Sequence, residues 1–231
     1  ARAVASRVAE RSPHRCELVI IRTSGDQLTD RPLSEAGGKR LFVKEIEDAL
    51  LSGAVDLAVH SSKDLPAELP AGLEIGAVLP REDPADVLVH AGTGPEEFGG
   101  LLARLAPAAR VGTGSVRRVA QLRGLLPQAR FELIRGNIDT RLRKLDRGDY
   151  DVLVLASAGL RRLGLADRIS ATIPPEVCVP APGQGIVAVE IRAGDAGVRG
   201  ALEAVGDDDT AAAFEAERAL VAALGGGCQM P

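Results

Sequence analysis

A run of apolar residues at 56–59 (DLAV) ends directly in His60, Ser61, Ser62, Lys63 and Asp64. Polar side chains at the carboxyl end of a buried strand are where α/β proteins place their chemistry. Lys63 and Asp64 are adjacent, so each can hold the other ionised, and Asp64 can hold a cationic group or move a proton. The plainer alternative is a loop salt bridge with a serine cap. His60 by itself reads as a satisfied structural histidine. A second constellation is GTGSVRR at 112–118, where a glycine-rich turn opens a helix at Ser115. Free backbone N–H groups and the helix dipole make such an end an anion site. Arg117 and Arg118 sit in the first turn, where the dipole disfavours cations, so something negative must compensate them. IRGNIDTR at 134–141 repeats the device: a strand ends at Arg135, a turn follows at Gly136, and Arg141 lies one turn into a helix. LRRL at 160–163 again places Arg161 and Arg162 after a strand. Three junctions delivering arginine to one sheet edge point to a cleft for a polyanion. Finally, Gly225, Gly226 and Gly227 precede Cys228. Three glycines permit a tight backbone and positive φ, and a thiol on a bare loop after a helix is placed to attack or to be modified. The alternative is a free cysteine in a glycine turn.

Strands and helices must position these groups, and they alternate along the chain. Strands are expected at 16–22, 56–59, 73–79, 86–89, 110–112, 130–134, 151–156 and 186–191. Helices are expected near 41–51, 96–105, 115–126, 138–147, 160–163 and 210–224. This alternation predicts an α/β fold with mainly parallel sheets. Two proline-bearing segments, 80–84 and 174–185, bracket a block of typical domain size. The predicted organisation is one domain inserted into another. Residues 1–79 and 186–203 form the first, 85–179 an Arg-rich second, and 208–231 the start of a third.

The chain has 231 residues, of which 45% are apolar and 2% aromatic. That supports an aliphatic core and argues against a base-stacking platform for single-stranded nucleic acid. No segment approaches the roughly 20 apolar residues of a membrane helix, and residues 1–10 lack the apolar stretch of a signal peptide. Three widely spaced cysteines suit a reducing cytosol. None forms a CxxC pair, so no metal site is expected. Cys16 is expected in a strand and in the core, and Cys178 has no assigned role. Net charge is −4, yet residues 101–170 hold 14 Lys and Arg against 6 Asp and Glu, a local +8 that is nearly all arginine. Arginine offers a rigid, permanent fork for carboxylate or phosphate. The GxxxxGK[ST] spacing of a nucleotide phosphate loop does not occur.

Eight segments taken in order resemble the porphobilinogen deaminase (hydroxymethylbilane synthase) family: GGKRLFVKEIEDALL, DLAVHSSKDLP, PREDPADV, GTGSVRR, LIRGNIDTRL, LASAGLRRLG, PAPGQGIVAVE and GGGCQMP. They span nearly the whole chain. The resemblance implies an α/β fold with two periplasmic-binding-protein-like domains, a cleft between them, and the start of a third α+β domain carrying a cysteine loop. It implies a cytoplasmic, monomeric transferase of tetrapyrrole biosynthesis, with no nucleic-acid or membrane partner. Such enzymes join four porphobilinogen molecules into hydroxymethylbilane, releasing ammonia, on a covalent dipyrromethane cofactor. Cys228 matches the attachment cysteine and Asp64 the catalytic aspartate, which stabilises a cationic pyrrole. Lys63, Ser61 and Ser115 match residues that contact the primer. Arg117, Arg118, Arg135, Arg141 and Arg162, with the Gly136 turn, match positions that hold acetate and propionate groups. Lys39 matches a lysine on a loop over the cleft, and Thr23 and Asp26 fall in that loop region.

The match departs from the family pattern in three places. A first strand resembling RxSxLA does not precede residue 1, the chain stops three residues after Cys228, and Gly114 replaces a frequent serine. A protein of these residues alone is therefore expected to turn over poorly. The competing readings are a two-domain anion receptor or regulator, which needs neither Cys228 nor Asp64, and a nucleotide-dependent transferase, which needs a phosphate loop.

Overall fold

The structure is a computed structural model that describes residues 1–21, 23, 43–66, 68–92 and 94–225. Its described residues divide into two compact units, one within residues 1–81 and 186–225, the other within residues 82–185. Residues 208–225, expected to open a third domain, cluster with the first unit.

In the first unit, helix α1 (Arg2–Arg11) and helix α2 (Lys44–Leu51) precede β1 (Leu57–Ser61), a short 3-10 turn (Ser62–Asp64) and β2 (Leu73–Val78). After the excursion through the second unit come β8 (Val187–Arg192), α7 (Ala196–Leu202) and α8 (Asp208–Ala223). The sheet order is β1-β8-β2, with both pairs antiparallel. Strand alternation sorts β8 between two cores. Val189 and Ile191 pack with Val4 and Val8 of α1 and Leu202 of α7, while Ala188 packs with Leu65 and Phe214 of α8. Phe214 is buried, and losing such a ring costs about 3–5 kcal/mol. It is the anchor that fastens α8 to this sheet.

The second unit runs β3 (Asp86–His90), α3 (Phe98–Arg104), β4 (Arg110–Gly112), α4 (Val116–Leu122), β5 (Arg130–Glu132), α5 (Ile138–Asp146), β6 (Val152–Ala156), α6 (Ser157–Arg162) and β7 (Ala171–Thr172). The sheet order is β5-β4-β6-β3-β7. Its central strands are covered on both faces, which is why they read as unbroken apolar runs. Val87, Val89, Leu153 and Leu155 face one core with Leu142 and Leu160. Leu88, Val152 and Val154 face the other with Leu101 and Leu122.

Two expectations change. Among the described residues only the β4–β5 and β4–β6 pairs are parallel. The strands next to the crossings break the pattern, because β8 returns from the second unit and enters between β1 and β2 in the opposite sense, and β3 likewise opposes β6 and β7. Residues 16–21 belong to no strand of the described structure, although Cys16 packs against the first unit's core. No described helix is long and apolar enough to cross a membrane.

Candidate functional site

The polar cluster after residue 59 takes its shape from the end of β1. Ser61 closes the strand, and the chain tightens into the 3-10 turn of Ser62, Lys63 and Asp64. Two backbone bonds hold that turn, Ser62 N–H to the Ile186 carbonyl at 3.0 Å and Leu65 N–H to the Ser62 carbonyl at 3.1 Å. Ser61 and Asp64 are exposed and Lys63 is half-buried. Ser61 and Asp64, with Ile21, Thr23, Val43 and Val59, line an open depression of about 240 Å³ within this unit. His60 also borders this depression, with its Nε2 3.0 Å from Glu190 Oε2 and both side chains buried. It is the structural histidine expected.

In the second unit β5, β4 and β6 are parallel neighbours, so their carboxyl ends share one edge. Each leads into a helix, as the spacing requires. At the first junction Ser115 caps α4, its Oγ accepting from Arg118 N–H at 3.4 Å. At the second, Asn137 Oδ1 accepts from Thr140 N–H at 2.9 Å. Both helix ends are thus served by their own side chains. Gly136 has φ of 106°, and a Cβ there would lie 2.8 Å from Thr140 Cγ2, so this turn requires glycine. Arg141 folds back on the turn, Nε donating to the Gly136 carbonyl at 2.7 Å. Arg135 is half-buried at the same place.

The anion expected to compensate Arg117 and Arg118 is present inside the protein: it is Asp86. Its Oδ2 accepts from Arg117 Nη2 at 2.6 Å. Its Oδ1 accepts from Arg118 Nε at 3.0 Å and Nη2 at 2.7 Å, and from Gln184 Nε2 at 2.9 Å. Asp86 is 0% exposed, Arg117 8% and Arg118 6%. Burial pushes the Asp86 carboxyl up, but the two guanidiniums and Gln184 outweigh it and hold the carboxyl below the usual aspartate range. Arg118 Nη1 also donates to the Val154 carbonyl at 2.8 Å, and Arg117 to the Val179 carbonyl. Cys178 is buried between them, its Sγ 3.2 Å from Arg117 Nη1. Burial, then the Asp86 charge, pushes its thiol up, and its contacts make it part of this network.

The third junction also differs from expectation. Helix α6 starts straight from β6 at Ser157, which puts Arg161 and Arg162 in its last turn, where the dipole favours cations. Arg162 Nη2 donates to the Gly185 carbonyl at 2.7 Å. The candidate residues therefore divide by unit, with Ser61, Lys63 and Asp64 on the first and Ser115, Arg117, Arg118, Arg135, Gly136, Arg141 and Arg162 on the second. Lys39, Asp26 and Cys228 lie outside the described residues. Sequence reasoning missed Asp86, Glu190 and Gln184. Asp86 left one signal, a lone carboxylate opening an otherwise apolar strand (DVLV).

Comparison with known proteins places these residues in a family. A sequence profile describing the porphobilinogen deaminase dipyrromethane cofactor binding domain matches residues 1–200. The porphobilinogen deaminase of Syntrophobacter fumaroxidans is 51% identical over 217 residues, 94% of this chain and 68% of that protein. That of Paraburkholderia phytofirmans is 51% identical over 218 residues, 94% of this chain and 62% of that protein. That of Syntrophus aciditrophicus is 48% identical over all of this chain and 74% of its own length. The chain thus spans about two thirds of the length of the curated relatives it matches. Among solved structures, the BvgS VFT2 domain of Bordetella pertussis gives a TM-score of 0.49 at 16% identity, over 93% of this chain and 82% of that one. With the profile covering most of its residues and half of them shared with these enzymes, the chain belongs to the porphobilinogen deaminase family, whose cofactor is dipyrromethane.

Proposed function

We propose that the protein to which this chain belongs joins four porphobilinogen molecules head to tail into hydroxymethylbilane, with release of ammonia, on a dipyrromethane primer held by a thioether to Cys228. The observation that carries this reading is the trio of parallel strand ends in the second unit, each leading into an arginine-bearing segment. Dipyrromethane and every added pyrrole bear acetate and propionate groups, so the bound material is a polyanion. The donors near that edge fit such a group: guanidiniums, hydroxyls and amides in a stretch of local charge +8. Arg135, Arg141 and Arg162 are the residues to hold its carboxylates, with Ser115, Ser61, Lys63 and Lys39 as further contacts. Arg117 and Arg118, pinned by Asp86, supply a fixed positive charge that does not reorganise.

When bound, the dipyrromethane supplies the electron-rich pyrrole carbon to which the first substrate is joined. Asp64 stabilises the positive charge that develops on porphobilinogen as its aminomethyl nitrogen leaves with the bonding electron pair. A carboxylate suits a developing cationic centre. The same reading makes the protein a monomer of the cytoplasm, with a small-molecule substrate and neither nucleic acid nor membrane as partner.

The test is the intact mass of the full-length protein purified from cells, beside its Cys228→Ser variant. The expected result is an added mass of two condensed pyrrole units in the wild type and none in the variant. A wild type that stays unmodified even when supplied with porphobilinogen would sink the reading and favour a two-domain anion receptor.

A further inference from the structure

The turn that carries Asp64 exposes that carboxylate while Ser62 at its start is buried. It is nevertheless held at both ends by side chains from elsewhere in the first unit. On β1, His60 stands opposite Ala188 of β8, and its ring reaches Glu190 two residues along the same face. On α8, Phe214 is buried against that face beside Leu65 and Ala188. One helical turn later Arg218 lies over the Phe214 ring, its Cζ 5.2 Å from the centroid. From there its Nη1 donates to the Pro66 carbonyl at 2.8 Å. The Arg218 guanidinium also interacts with the charge of Glu190. His60 precedes Asp64 and Pro66 follows it, so the segment between them is pinned by Glu190 at one end and by Arg218 at the other. Cys228 comes after α8 on the same stretch of chain.

We propose that Arg218 is a positioning residue for Asp64: its bond to the Pro66 carbonyl, with its guanidinium seated on Phe214, fixes the catalytic turn to the helix that leads to the cofactor cysteine. This rests on the reading of Asp64 given above. The physical reason is the steepness of catalysis with distance. A carboxylate displaced by about 1 Å from the charge it stabilises can lose on the order of 100-fold in rate. Arginine suits the task because its planar fork can stack on a ring while donating a directed bond, which lysine's point charge does not reproduce.

The test uses the full-length protein and three variants: Arg218→Met, Arg218→Lys and, as a control, Asp64→Asn. Arg218→Met keeps the stem and removes the bond. It is expected to carry the cofactor mass, to keep KM within about two-fold and to lose kcat by roughly 10–100-fold. Arg218→Lys is expected to recover part of that loss. A merely structural residue would lower the folded or cofactor-loaded fraction and leave kcat per loaded molecule unchanged, and that outcome overturns the proposal. Should Arg218→Met not fold, the milder Arg218→Lys decides: a reduced kcat at unchanged KM supports the proposal, and a wild-type kcat overturns it. The control separates the two levels. Full turnover by Asp64→Asn would bring down the role of Asp64 itself, whereas a dead Asp64→Asn beside fully active Arg218 variants would bring down the positioning role alone.

Discussion

Replacing Asp86 by asparagine is the sharpest test of how the second unit is held together. The side chain keeps its shape but loses its charge, and one of its two acceptors becomes a donor. In the native protein those acceptors take five bonds, three from guanidiniums at 2.6–3.0 Å, one from Gln184 at 2.9 Å and one from the Cys178 thiol at 3.4 Å. Arg117 and Arg118 are more than nine-tenths buried, so the variant leaves two interior cations with no counter-charge from this position. Removing one partner of a buried ion pair costs about 3–5 kcal/mol. For a protein of this size each kcal/mol moves the melting temperature by roughly 2–4 °C, so a fall of roughly 6–20 °C is expected at pH 7. The pH dependence gives a second check. The Asp86 carboxyl lies below its ordinary value of 3.8 in the folded protein. Its stabilisation is therefore fully present above that value and is lost as pH falls through the lower, folded one. The gap between the melting curves of wild type and Asp86→Asn should persist down to the ordinary aspartate range and close only as pH falls further, through the lowered folded value. A loss under about 1 kcal/mol at pH 7, or a gap that stays constant into acid, would refute the claim that the two arginines depend on this carboxylate.

Two further substitutions test the second junction. Gly136→Ala forces an L side chain into a left-handed turn and against Thr140, and should cost about 1–3 kcal/mol by urea unfolding. Adding Thr140→Ser, which removes the crowding methyl, should restore part of that loss, and no recovery would mean the backbone alone is responsible. Asn137→Ala removes the cap of α5 and should cost about 1 kcal/mol, while Asn137→Asp should retain most of it. Equal losses in the two variants would show that the cap contributes nothing.

The sequence was enough for the alternation of elements and for the delivery of arginines to the helices that follow β4 and β5, whereas Arg161 and Arg162 fall in the last turn of α6. Those features follow from local patterning: apolar runs at strand length, glycine and capping residues at turns, and spacing that fixes where a side chain falls on a helix. It was enough, too, for the family, because eight ordered segments share one pattern. What it left undecided is what each arginine faces. Arg117, Arg135 and Arg162 look alike in a string of letters, yet Arg117 is locked to a buried carboxylate from another strand, Arg135 lies half-buried at a turn, and Arg162 ends a helix. Strand direction went against expectation for the same reason: mainly parallel sheets were predicted, but β8 and β3 take their sense from where the chain re-enters a sheet. Asp86, Glu190 and Arg218 became visible only once strands and helices distant in sequence were packed together. The energy of a buried charge is set by the groups within a few ångströms of it, and only the tertiary fold decides which groups those are.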